Sequence, residues 1–178
     1  RDYRSPVPVV YNSSGYESVE TLKKLEGLVD VYLPDFKFSR PDRALQYAGA
    51  ADYPAVAALA IEEMKRQQPA DVFENGLLQK GVIVRHLILP GEDLNSMDVI
   101  DFVAEEFPQG SVLFSLMSQY TPMPEAGKFP ELKKRVSPET NEMLCHYLKT
   151  RRIETGYWQE LSSATEDLIP AFDGTGIC

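Results

Sequence analysis

The chain is poor in cysteine, histidine and tryptophan, with two, two and one among 178 residues. Its thiols, Cys145 and Cys178, make no C-x-x-C pair, zinc spacing or disulfide framework. Cys145 lies in the helical pattern NEMLCHYLK and reads as a small buried or half-buried side chain; Cys178 is expected to be exposed or disordered. Positive charge is also scarce: 18 Lys and Arg face 27 Asp and Glu, a net charge of −9. That argues against nucleic acid as the main partner, because duplex binding relies on clustered Lys and Arg. No apolar run reaches the roughly 18 residues of a membrane span, and no secretory h-region is visible. The expectation is a cytoplasmic protein with no membrane partner, so the formal sequon at Asn12-Ser13-Ser14 carries no weight. Also missing are G-x-S-x-G, G-x-x-x-x-G-K-[ST], G-x-G-x-x-G and H-E-x-x-H, which removes the usual nucleophile, phosphate-loop, dinucleotide and zincin readings.

What is present is an alternation. Four runs, residues 7–11, 29–36, 81–89 and 111–120, are nearly continuously apolar and rich in β-branched residues, as strands covered on both faces are. Helical patterns separate them. SVETLKKLEGL has a cap at Ser18 and puts Val19, Leu22 and Leu25 on one face. DYPAVAALAIEEMKRQ follows Asp52 as cap, with Val56, Leu59, Ala60 and Met64 as its stripe. SMDVIDFVAEEF carries Val99, Phe102 and Val103, and SPETNEMLCHYLKTRRI is capped by Ser137 with Pro138 in first position. Residues 67–80 break periodicity and read as a loop. Residues 121–136, rich in proline, read as a lid or long loop over the strand ends.

The order β-α-β-α-β-α-β-α predicts an α/β fold of parallel βα repeats, either a doubly wound sheet or part of a (β/α) barrel. Both place ligands at the carboxyl ends of the strands. Polar residues mark those ends: Asn12, Ser13 and Ser14 before Gly15; Asp35 and Lys37; Arg85; and Gln119 with Tyr120. Singly, each has an ordinary structural role, as a turn, a surface ion pair or a packed ring. Together they predict a ligand site. Asp35 and Lys37, two apart on a strand, share a face. His86 points opposite to Arg85 and is expected to pack between sheet and helix; His146 reads as structural or surface.

The stretches PVVYNSSGYES, VDVYLPDFKF, EEMKRQ, GVIVRHLILPG, SLMSQYTPMP and GYWQEL resemble the pyruvate formate-lyase activating enzyme-like radical SAM proteins, in the PflX-type branch, over nearly the whole chain. The resemblance implies part of a (β/α)6 partial barrel, with about four strands present, in which a 4Fe–4S cluster and S-adenosylmethionine (SAM) meet at the strand ends. In the full-length protein the cluster would reduce SAM to a 5′-deoxyadenosyl radical that takes hydrogen from a substrate, here a protein glycyl residue by analogy. A flavodoxin or ferredoxin would be the electron donor. The positions implied around SAM are Asn12, Ser13, Ser14, Asp35, Lys37, Arg85, Gln119 and Tyr120. Asn12 departs from an acidic residue of the family, and Tyr120 from a histidine.

The family's C-x-x-x-C-x-x-C is absent. Three thiolates must hold the cluster so that one iron stays open to SAM. The chain therefore reads as a C-terminal portion of the barrel, residues 1–136 being four strand units and a loop and residues 137–178 a helix and tail. Neither catalytic nor metal-ligating residues are expected within it, and no cofactor is expected to bind it tightly. Its exposed first strand, residues 7–11, is expected to pair with a second copy or to be shielded by residues 161–177. Two other readings stand beside this one: a lyase or aldolase with Lys37 as Schiff-base nucleophile, and a non-catalytic binding module derived from a barrel.

Overall fold

In the computed structural model residues 7–153 and 155–158 are described. The strands are β1 (Val10–Ser13), β2 (Val31–Pro34), β3 (Val72–Glu74), β4 (Leu77–Leu87), β5 (Leu113–Met117) and β6 (Gly156–Trp158). The helices are α1 (Val19–Lys24), α2 (Pro41–Ala48), α3 (Tyr53–Gln67), α4 (Asp93–Glu106) and α5 (Pro138–Thr150). The strands stand side by side as β1-β2-β4-β5-β6, all parallel, with β3 antiparallel to β4. The α/β expectation holds. The expected four strands are corrected to six among the described residues.

Strand order equals chain order along the parallel path, so right-handed crossovers place successive helices on one face of the sheet. Burial agrees. Along β4 and just past it, Val82, Val84, His86 and Ile88 are almost wholly buried, while Ile83, Arg85, Leu87 and Leu89 between them are half-buried. The covered face is the core. On it Tyr32 bonds Gln67 of α3 (2.5 Å), Phe36 packs edge-on to Phe102 of α4 (4.7 Å between centroids), and Leu22, Ile61, Met64, Ile100 and Leu144 are fully buried.

Several sequence expectations shift. β1 starts at Val10 rather than residue 7; Pro8 has no N–H to give a ladder, although the Val9 carbonyl already accepts from Asp30 and Val31. Residues 67–80 are not a plain loop, because Asn75 (φ 51°) and Gly76 (φ 79°) form a tight turn between β3 and β4, the geometry a two-residue hairpin requires. α2 was not expected, though Pro41 at its start and Gly49 as its left-handed cap (φ 69°) mark its ends. The caps at Ser18 and Ser137 form, each hydroxyl accepting the N–H three residues on. Asp52 does not cap α3; its carboxylate accepts from the Tyr16 hydroxyl (2.7 Å). The buried stripe of α3 is Tyr53, Ala57, Ala60, Ile61 and Met64, and Leu59 faces solvent. α4 begins at Asp93, three residues before the expected start. Ser96 lies inside α4, and its hydroxyl bonds His86 Nε2 (2.9 Å).

His86 sits between sheet and helix as expected, its other nitrogen bonding the Phe36 carbonyl (2.8 Å). Burial lowers its pKa to about 4. A histidine held neutral in the fold contributes stability above its unfolded pKa near 6.5, and that stability is lost as pH falls from there toward 4. Urea unfolding of the wild type at pH values from about 7 to 4.5 should therefore show a drop steeper, by up to about 3 kcal/mol, than in His86→Gln. Parallel profiles for the two proteins would refute the assignment.

Candidate functional site

The half-covered face of the sheet carries the charged strand ends. Asp35 follows β2, whose last residue, Pro34, has no N–H; Asp35 still bridges in parallel to Arg85, its own N–H donating to the Ser13 carbonyl (3.0 Å). Arg85 Nη2 lies 2.6 Å from Asp35 Oδ1 and donates to Asn12 Oδ1 at 2.6 Å. One guanidinium thus spans β4, β2 and β1. Lys37 Nζ stands 3.6 Å from Asp35 Oδ2. Asn12, Asp35, Lys37 and Arg85 form one cluster, as the shared face of Asp35 and Lys37 predicts.

Tyr53, at the start of α3, fixes the backbone beneath it. Its hydroxyl accepts from Lys37 N–H (2.9 Å) and shares its hydrogen between the carbonyls of Ser14 (2.8 Å) and Asp35 (2.9 Å). Burial pushes its pKa up, keeping the phenol protonated as this donor role requires. The turn after β1 passes so close that Gly15 (φ 75°) has no room for a side chain: a Cβ would lie 2.3 Å from the Asp35 carbonyl oxygen. NSSG is therefore a turn pressed against the site, and its glycine is needed both for the left-handed backbone and for the close approach.

The remaining expected residues divide. The Ser13 hydroxyl accepts from Gly15 N–H (3.2 Å) and donates to Glu17 (3.1 Å). Ser14 is exposed and takes part through its carbonyl. Tyr120 is 8% exposed and its hydroxyl donates to the Leu132 carbonyl (2.9 Å), so its ring has the packed role. Gln119 and Tyr120 also lie beyond β5, which stops at Met117, and no described contact joins either to Arg85. Residues 121–136, expected as a lid or long loop, are a long connection with short turns. They form short 3-10 turns at Pro124–Lys128 and Pro130–Lys133 and pack Phe129 edge-on to Tyr47 of α2 (5.0 Å).

The sequence reading missed Glu17. Its half-buried carboxyl is pushed up in pKa by burial, opposed by the Ser13 hydroxyl, and feels the Asp35 charge. Its position four residues past Ser13 on a turn carried no periodic signal. Cys145 is half-buried, and burial raises its thiol pKa. His146 is exposed. Cys178 and residues 161–177 lie outside the described residues. Among the described residues no three His, Cys, Asp or Glu side chains converge as a metal site, and no helix is long and apolar enough to cross a membrane. The Lys37 side chain is 46% exposed and its Nζ stands beside a carboxylate, unlike the desolvated amine that Schiff-base chemistry uses.

No family model matches the chain. It is 32% identical over 139 residues to an uncharacterized protein of Methanocaldococcus jannaschii, a match taking in 76% of this chain and 36% of the relative. The chain thus spans little more than a third of the length of the curated relative it matches.

If Arg85 and Asp35 depend on one another, Arg85→Gln and Asp35→Asn should each lower stability by about 1–3 kcal/mol, since each leaves a partly buried charge without its partner. The double variant should lose clearly less than the sum. Additive losses in urea denaturation would show that the pair is not coupled.

Proposed function

We propose that this chain is the SAM-binding part of a radical SAM protein of the pyruvate formate-lyase activating enzyme-like family, built as part of a (β/α)6 barrel. The observation that carries the reading is the Asn12–Asp35–Arg85–Lys37 cluster at the carboxyl ends of parallel strands, where such sheets bind ligands. Strands in chain order with helices on one face support a sheet curling toward a barrel over a doubly wound one.

SAM fits these residues. Its amino group would meet the Asp35 carboxylate, and its carboxylate would meet Lys37 and Arg85, whose Nε is buried without a hydrogen-bond partner. The iron–sulfur cluster does not fit this chain, because it takes three thiolates and the chain has two cysteines. Its ligands belong, in this reading, to the part of the longer protein that the relative's extra length represents. SAM supplies the reactive 5′-deoxyadenosyl group. What the described residues do is bind and orient it: Arg85 and Lys37 hold the negative end, Asp35 the positive end, and Tyr53 keeps the backbone of residues 14, 35 and 37 in place. Hydrogen abstraction, a protein glycyl substrate, a flavodoxin or ferredoxin donor and a cytoplasmic location are parts of the same proposal for the whole protein.

Calorimetric titration of residues 1–178 should give SAM affinity weaker than about micromolar, about −8 kcal/mol, because the bonds from the cluster iron are missing. In the longer protein with its cluster, Lys37→Gln should weaken SAM binding by about tenfold, the loss of one charge-assisted hydrogen bond, at unchanged thermal stability. SAM affinity indifferent to Lys37, or an iron–sulfur cluster assembling anaerobically on residues 1–178 alone, would defeat the reading.

A further inference from the structure

The far edge of the parallel sheet, β6, carries an exposed ring at Tyr157. Strand pairing fixes where that ring stands. Asp35 bridges to Arg85, Arg85 is opposite Ser115, and Ser115 is opposite Tyr157. Residues opposite one another on parallel strands project to the same side. Phe114 and Leu116, on either side of Ser115, are buried in the core, so Ser115 and Tyr157 face the other way, with Arg85. Gly156 lets β6 lie close, because a Cβ there would overlap the Phe114 carbonyl. A single row thus runs from Asp35 at the end of β2 through Arg85 and Ser115 to Tyr157.

The row changes character along its length. One end holds the charges of Asp35, Arg85 and the neighbouring Lys37. The other end is Tyr157, 51% exposed; among the described residues no hydrogen bond or ring contact takes its side chain. Ser115 stands between them, and its hydroxyl likewise has no described partner. The rows on either side are apolar, Ile83 opposite Leu113 and Leu87 opposite Met117. Strands lie about 4.8 Å apart, so along the row Ser115 is about 5 Å from Arg85 and Tyr157 about 10 Å, backbone to backbone. A charged end, a lone hydroxyl and a free aromatic face follow one another over a mostly apolar floor.

We propose that Ser115 and Tyr157 are the second half of the strand-end site, Ser115 bonding a sugar hydroxyl and Tyr157 stacking on a purine base. The ligand is one molecule, whose charged head meets Arg85 and Lys37. The inference rests on the SAM reading and narrows it: amino-acid head, ribose and adenine lie in that order from β2 toward β6. The chemistry matches at each step. A serine hydroxyl both donates and accepts, as a ribose hydroxyl does. A tyrosine ring offers a π-face on which a base stacks. The charged cluster alone recognises only the head, so the discrimination between a nucleoside and a bare amino acid falls to β5 and β6.

The test is anaerobic calorimetric titration of SAM into the longer protein with its cluster. Tyr157→Val keeps a residue that strands favour but removes the ring, and should weaken SAM binding about tenfold, the share of one stacked base. Tyr157→Phe keeps the π-face and should stay within about twofold of the wild type. Ser115→Ala should cost about fivefold, one neutral hydrogen bond. Thermal melting should be unchanged in all three. A loss that Tyr157→Phe shares in full would assign the effect to the hydroxyl and overturn the stacking. Wild-type affinity in Tyr157→Val overturns the inference; should that variant not fold, wild-type affinity in Ser115→Ala does so. If Lys37→Gln still weakens binding in that event, the SAM reading stands without this extension. Affinity indifferent to Lys37 as well would remove both.

Discussion

A guanidinium on the half-open face of a sheet has to be answered by an anion, because leaving it alone there costs more than surface burial returns. Arg85 is answered by Asp35, directly opposite it on the neighbouring strand, and the same group reaches Asn12 on the strand beyond. Three strands are therefore tied at one end by one side chain. The backbone repeats the tie, since Phe36 N–H donates to the Arg85 carbonyl (2.8 Å) and Asp35 N–H to the Ser13 carbonyl. Strand pairing and charge pairing fix the same register, so neither can slip without breaking the other.

The opposite face uses its polar groups in pairs. His86, Ser96 and Asn95 are buried, and each has partners: the histidine spans Phe36 and Ser96, and the asparagine spans Ser39 and Lys37. Satisfied in this way they add direction to an apolar core without stranded donors. The pattern has a functional consequence. α4 is locked to β4 through His86 and to the loop after β2 through Asn95, so helix position and site position are set together.

How much of this the sequence carried depends on whether the signal was periodic or depended on distant partners. The buried runs of β2, β4 and β5 and the caps at Ser18 and Ser137 were legible because local rules decide them. So were the opposite directions of Arg85 and His86, which follow from strand alternation. The β3–β4 hairpin was legible in principle from Asn75-Gly76, and α2 from Pro41 and Gly49; both were hidden by short length and weak apolar pattern. Asp52 misled because an aspartate before a helix can as well serve a distant group, here Tyr16. Tyr120 was placed at the site because its position follows β5, whereas its ring is drawn into the core by Leu132. The place of Glu17 arises from tertiary contacts alone, and no spacing announces it.

Lys37 joins these strands of argument. Its N–H is held by Tyr53 and its carbonyl by Asn95, so its main chain has almost no freedom. Its side chain, by contrast, is 46% exposed, and its ammonium touches Asp35 at 3.6 Å, against 2.6 Å for Arg85. An exposed pair at that distance is worth little, within about 1 kcal/mol, and exchanging Asp35 for a ligand anion would cost correspondingly little. Arg85 cannot do the same, because releasing it would unpick the strand ends that it ties. The division follows from burial: the guanidinium ties the strand ends, and the ammonium is the charge left able to move.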